Sequence, residues 1–189
     1  EEKPVAICRL KRVAADYRGD ISDRLPGIPK KKNGKRIALL GAGPASLTVA
    51  RDLMPLGYTC TLIEKDPQGG GLMRTNIPSF RLPETVLDGE DFEVKKRIDE
   101  EVTTLNAMID ESCDEIFAGT GAPRGKDLNI PGREEASENI HIGIDWLTSV
   151  AFEHISKIGR RVVVIGGGNT AMACCRTALR LGGKDVRVT

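Results

Sequence analysis

Residues 36–64 read RIALLGAGPASLTVARDLMPLGYTCTLIE, and the fold is decided there. Ile37–Leu40 is an apolar run of strand length, and Pro44–Leu56 carries a helical pattern. Thr59–Ile63 is a second run, rich in β-branched residues. Strand, helix and strand in that order predict a βαβ unit. Between the first strand and the helix stands Gly41-Ala42-Gly43-Pro44-Ala45-Ser46, the place a dinucleotide fingerprint needs its glycines. Gly41 permits the tight turn, and Gly43 lets the backbone approach a pyrophosphate whose charge meets the helix N-terminus at Pro44 and Ala45. Ser46 replaces the third glycine but is small enough for close helix–strand packing. Pro44 costs nothing, because the first amide of a helix has no intrahelical partner. Glu64 stands 23 positions after Gly41, where a carboxylate reads the ribose. Pro55 and Gly57 end the helix.

The same grammar recurs. Arg161–Ile165 reads as a strand and Thr170–Leu181 as a helix, with Gly166-Gly167-Gly168-Asn169-Thr170-Ala171 between them. A further strand begins at Asp185–Val188. Counting 23 positions from Gly166 puts the second ribose-reading position near Thr189, the residue at which NAD and NADP would be told apart. Two fingerprints more than 120 residues apart predict two nucleotides, and one flavin with one nicotinamide is the usual pairing in reductases.

Outward from these units the chain is less regular. Pro4–Tyr17 places Ile7, Leu10, Val13, Ala14 and Tyr17 on one stripe, which predicts a short amphipathic helix opened by Pro4. Gly19–Lys35 has no period and reads as a linker, its Lys30–Lys32 run as a solvated turn. Asp66–Pro83, with Gly69, Gly70 and Gly71, is long enough for a loop to suggest binding. Phe92–Ile98 and Glu115–Ala118 read as strands, Glu100–Glu111 and Ile144–Ile158 as helices. Trp146, Leu147 and Ile144 form the inward face of the last. Strand and helix alternate, so the fold is α/β with a parallel sheet covered on both faces.

Composition narrows the function. With 28 Lys and Arg against 27 Asp and Glu, the net charge of +1 gives no electrostatic case for nucleic acid or a membrane surface. Aromatics at 4% make no base-stacking platform. No apolar run reaches a membrane span. Five cysteines without C-x-x-C or metal-ligand spacing fit a reducing compartment, the cytoplasm. Cys174 and Cys175 read as core packing, and His141 and His154 are too isolated for a metal site or triad. Arg124, Lys126 and Arg133 could assist phosphates or simply line a solvated crossing. The start at Glu1 has neither initiator Met nor signal pattern and looks like the start of a fragment.

Four stretches, GAGPASLTVARDLMPLGY, EKDPQGGGLMRTNIPSFRLP, IFAGTGAPRGKDLNIPG and VVVIGGGNTAMACCRTALRLGGKDV, resemble the FAD/NAD(P) oxidoreductase family of the glutamate synthase small (beta) subunit. The N-terminal flavin region of dihydropyrimidine dehydrogenase is similar too. The resemblance covers nearly the whole chain, in the family's motif order, and implies a Rossmann-like three-layer FAD-binding domain followed by the start of an inserted NAD(P)-binding Rossmann domain. Residues 1–35 would end an N-terminal helical segment, 36–143 would form the first part of the FAD domain, and 144–189 the first part of the NAD(P) domain.

By the same resemblance Gly41, Gly43, Pro44 and Ala45 bind FAD. The stretch from Glu64 and Lys65 to Gly70, Gly71 and Leu72 holds the adenosine ribose and the approach to the flavin, and Arg81 reaches the FAD. Gly167, Gly168, Asn169 and Thr170, with Gly166 of the fingerprint, bind NADP or NAD. The implied reaction is hydride transfer from the nicotinamide to the flavin, then electron passage to iron–sulfur clusters of a larger subunit or fused domain. No catalytic side chain is required.

The chain also departs from the family. The cluster-binding cysteines lie upstream of the family's counterpart to Pro4–Tyr17, and Cys8 alone cannot hold a cluster. The motif that completes the flavin site follows the nicotinamide domain. Val86-Leu87-Asp88-Gly89-Glu90 runs at once into Asp91-Phe92, too short a helix for a parallel crossover, which suggests about nine residues missing there. Ala173 stands where the family carries Asp. These gaps motivate a rival reading, a non-catalytic nucleotide-binding subunit of a larger redox complex.

Overall fold

The computed structural model describes residues 4–88, 94–111 and 113–189. In chain order the elements are α1 (Ile7–Asp16), β1 (Arg36–Leu40), α2 (Pro44–Leu53), β2 (Thr59–Glu64), α3 (Leu72–Thr75), α4 (Glu84–Asp88), β3 (Lys95–Ile98), α5 (Leu105–Asp110), β4 (Glu115–Ala118), α6 (Gly143–Ala151), β5 (Arg161–Val164), α7 (Asn169–Arg180) and β6 (Asp185–Val188). The first four strands make one parallel sheet in the order β3-β2-β1-β4, and β5 and β6 make a second parallel pair.

Alternation along β1 builds three layers, because successive side chains point to opposite faces. Ile37 and Leu39 join Ala50 and Met54 of the helical face, with Cys60 and Leu62 of β2. Ala38 and Leu40 face the other way, onto Ile63 and Met108 of α5. The sheet therefore lies between α2 and α5, as the α/β reading requires. In the second unit Trp146 and Leu147 of α6 pack with Ala173, Cys174 and Ala178 of α7, against Val162, Val164 and Val186.

Several boundaries move, each for a local reason. Helix α2 stops at Leu53 and tightens into a 3-10 turn through Pro55, and Gly57, at φ 90°, turns the chain toward β2. Residues 99–104 are not helical. Asp99 takes φ 59°, and Thr104 caps α5 by accepting the Ala107 N–H, so that helix begins later than the expected Glu100. Helix α6 starts at Gly143 and ends at Ala151, short of the expected Ile158. Glu153 turns left-handed at φ 60°, and the amides of His154 and Ile155 both donate to Ser149 C=O, closing the helix. Helix α1 leaves Pro4 outside and exposes its whole apolar stripe, Ile7, Leu10 and Val13 included. The long loop after β2 contains α3, one helical turn that the sequence pattern does not show. The strand expected from Phe92 is described from Lys95, and the Glu90–Asp91 junction lies outside the described residues.

Candidate functional site: two glycine loops at parallel strand ends

The first loop is bound into the fold on three sides. Gly41 takes φ 87°, and a Cβ on it would lie 2.7 Å from the Gly119 carbonyl oxygen, so only glycine serves there. Gly119 in turn faces Ser46, whose side chain is completely buried. A methyl group on Gly119 would collide with the Ser46 hydroxyl, which explains why a small residue fills the third fingerprint position. Gly70 N–H donates to Ala42 C=O at 2.9 Å, and a Cβ on Gly71 would sit 3.0 Å from Gly43 Cα. The glycine run 69–71 thus lies along the 41–44 turn, bringing together two segments that the sequence keeps apart.

Gly43 differs from Gly41. Its φ of −80° suits any residue, and a Cβ there would meet nothing within 4 Å. Gly167 and Gly168 are equally open. Nothing inside the protein requires glycine at these three positions, and each leaves open space beside its turn. Beside Gly43 the first turn of α2 leaves the amides of Ala45 and Ser46 without intrahelical acceptors, and the helix dipole favours an anion. The residues present fit a pyrophosphate.

Glu64 ends β2 beside this turn and is buried. Its Oε2 accepts the Ala42 N–H at 2.6 Å and its Oε1 the Asp66 N–H at 3.1 Å. A carboxylate offers about four lone-pair directions, so capacity remains for ribose hydroxyls. Lys65 is turned to Asp66 at 2.7 Å, and that bond raises its pKa. Leu72 opens α3 and is partly exposed. Arg81 lies on an exposed turn whose own carbonyl accepts from Arg12 Nη1 at 3.2 Å. Arg133 is engaged by Asp127 at 2.9 Å.

The second loop repeats the first. Gly41 N–H donates to Ile63 C=O at 2.8 Å, and Gly166 N–H donates to Thr189 C=O at 2.7 Å. Val164 pairs with Val188, which puts Thr189 opposite Ile165, the counterpart of Leu40, whose own partner is Ile63. Thr189 is therefore the equivalent of Ile63. The counterpart of Glu64 is the position after Thr189, one residue beyond the count from the fingerprint. Behind this loop Cys174 donates to Gly143 C=O at 3.6 Å, and burial pushes its thiol pKa up to about 11. That thiol packs in the core with Trp146, Leu147 and Ala178.

Sequence reasoning missed Arg74 and Asn76. The Arg74 guanidinium is buried, with Nε on Gly69 C=O at 2.7 Å and Nη2 on Asp88. Its Nη1 and the Asn76 Oδ1 are buried without partners. Nothing in residue spacing marks them; only burial does. Among the described residues no three His, Cys, Asp or Glu side chains gather, so the donors present do not fit an iron–sulfur centre. No described helix is long and apolar enough to cross a membrane.

Two strand–glycine–helix units, each set against a parallel neighbour strand, define a dinucleotide-binding oxidoreductase fold. Residues 35–189 match the pyridine nucleotide-disulphide oxidoreductase family, and the chain belongs to it. It is 34% identical over 193 residues to the NADPH-Fe(3+) oxidoreductase subunit beta of Geobacter sulfurreducens, covering 96% of this chain and 28% of that protein. It is 32% identical over 201 residues to the glutamate synthase [NADPH] small chain of Bacillus subtilis, covering 96% and 40%. The chain thus spans less than half the length of these relatives. Among solved structures, the FprA His57Gln mutant from Mycobacterium tuberculosis superposes with a TM-score of 0.65 at 21% identity, over 82% of this chain and 43% of that one, which shows the fold. The resemblance to the glutamate synthase small-subunit family is borne out, and with it the pairing of FAD and NAD(P).

Proposed function

We propose that this chain is the nucleotide-binding part of a flavoprotein oxidoreductase that takes hydride from NAD(P)H onto FAD and passes electrons to an iron–sulfur partner. Residues 36–143 form the flavin part and 144–189 the nicotinamide part, with 1–35 leading in from a preceding segment. The observation that carries the reading is the repeated strand–glycine–helix turn, each set beside a parallel strand with the turn's first glycine N–H bonded to that strand's end. Bound at the first turn, the flavin would supply the change from two-electron to one-electron transfer.

The protein's own residues bind and orient. Gly41, Gly43, Pro44 and Ala45 cradle the FAD pyrophosphate, Glu64 holds its ribose, and Lys65, Gly70, Gly71, Leu72 and Arg81 line the way to the ring. Gly166, Gly167, Gly168, Asn169 and Thr170 receive the nicotinamide nucleotide. The strand end at Thr189 is where NAD and NADP are told apart, by an acid for a free ribose hydroxyl or a base for a phosphate. All five cysteines are free, which supports a cytoplasmic location.

The test is anaerobic titration of the full-length protein, reconstituted with FAD, by NADH and by NADPH. Bleaching of the flavin band on a turnover timescale is the expected result. Nucleotide binding without bleaching favours the non-catalytic subunit instead, and absence of any flavin band after reconstitution overturns both the flavin site and the activity.

A further inference from the structure

Helix α1 turns its apolar side away from the molecule. Ile7, Leu10, Val13 and Tyr17 are between 54% and 85% exposed, and the helix has no buried residue. Its opposite side is the attached one. Arg12 is paired with Asp16 one turn on, and its Nη1 donates to Arg81 C=O at 3.2 Å. At about 3.6 residues per turn, Arg9 falls beside Val13 on one edge of the stripe and Lys11 beside Ile7 on the other.

Charge separates along the chain at the same place. Residues 4–36 carry ten Lys and Arg against three Asp, whereas the remainder carries 18 Lys and Arg against 24 Asp and Glu. An exposed apolar stripe with a base on each edge suits an apolar groove rimmed by carboxylates. A second copy of α1 would bring base against base along both edges. An anionic bilayer would meet the acidic remainder as well as α1, and the whole chain has a charge of only +1. A protein face can keep its carboxylates to the rim of one groove.

We propose that α1 is the docking element for an acidic iron–sulfur protein: Ile7, Leu10, Val13 and Tyr17 enter an apolar groove, and Arg9 and Lys11 meet carboxylates on its rim. The choice of occupant rests on the flavin-to-cluster reading above. Arg12 fixes where that protein sits. The Arg81 loop lies against the back of α1, so a protein on its front is one helix diameter, about 10 Å, from the loop assigned to the flavin.

The experiment measures binding of a purified acidic plant-type ferredoxin to the full-length, FAD-reconstituted protein by calorimetry at low and high salt, beside Leu10→Ser and the double variant Arg9→Glu with Lys11→Glu. Ferredoxin is expected to bind the parent, more weakly as salt rises, and each variant is expected to raise the Kd about tenfold or more. No ferredoxin binding by the parent, or an unchanged Kd in either variant, overturns the proposal. Binding of phosphatidylserine vesicles that the charge-reversed variant loses, or self-association in sedimentation that Leu10→Ser abolishes, overturns it in favour of a membrane or a second copy. The substituted side chains are exposed, so Tm is expected to stay within about 3 °C of the parent's. A larger fall in Leu10→Ser also overturns the proposal, because the stripe would then be packed against the protein's own chain. Flavin bleaching by NAD(P)H is followed in the same samples: if ferredoxin binds as expected but no flavin is bound or bleached, it is the flavin reading that fails.

Discussion

Gly41 and Gly43 stand two residues apart and serve different ends. Gly41 is required by the protein itself, through a left-handed φ and the Gly119 carbonyl 2.7 Å from where a Cβ would be. Gly41→Ala is expected to cost about 1–3 kcal/mol of stability, read by urea denaturation without cofactor. Gly43→Ala meets no protein atom, so stability is expected to stay within about 0.5 kcal/mol of the parent. Its FAD Kd is expected to rise about tenfold or more, measured by flavin fluorescence. Equal losses of stability in both variants would mean that Gly43 is structural. The GxGxxS spacing shows both glycines but not this division, because the Gly119 backbone that crowds one of them arrives from 78 residues further along the chain.

At the scale of elements, the start of β1 is tied to β4 by charge. Asp114 accepts from Lys35 Nζ at 2.7 Å and from the Arg36 N–H at 2.8 Å, and these bonds hold its pKa below the ordinary 3.8, the Lys35 bond foremost. A depressed carboxylate contributes its stability above the unfolded pKa and loses it as pH falls through the folded one. Asp114→Asn keeps an acceptor for Arg36 and removes the charge. Its stability deficit in urea is expected to be constant from neutral pH down to about pH 5 and to shrink progressively below about pH 4. A deficit that persists undiminished into that acid range would deny the charge its part. Element types were legible from periodicity, whereas element ends were not. Nothing in the residue pattern marks Asp99 and Glu153 for left-handed backbone, a conformation rare outside glycine that accompanies the backbone hydrogen bonds of Asp99 to Asp66 and of His154 to Ser149.

Across the whole molecule, α7 of the two-stranded unit touches the loop after α3 where Arg180 lies over the Phe80 ring, its Cζ 3.6 Å from the centroid. Phe80 belongs to the NIPSFRLP loop and Arg180 to the helix behind the second glycine loop. A cation–π contact at an exposed site is worth about 0.5–1 kcal/mol, enough to bias how the two units sit. Phe80→Leu and Arg180→Met are each expected to slow flavin reduction by NAD(P)H about two- to fivefold, with FAD Kd unchanged, by stopped-flow absorbance. A fall in FAD affinity with no change in reduction rate would assign Phe80 to the flavin site instead.

The sequence by itself determined the βαβ units, both glycine loops and the carboxylate at Glu64, because each is written in local spacing: a strand's period, a helix start, a fixed count to the next strand end. Only the tertiary structure decided what those loops are pressed against. It laid Gly69–Gly71 along the first turn and opposed Gly119 to Ser46. It set Thr189 in register with Ile63 and not with Glu64, and it left Arg74 Nη1 and Asn76 Oδ1 buried without partners. The physical reason is burial: a polar atom's need for a partner exists only once packing has removed it from water, and that packing is made by residues far apart in the chain.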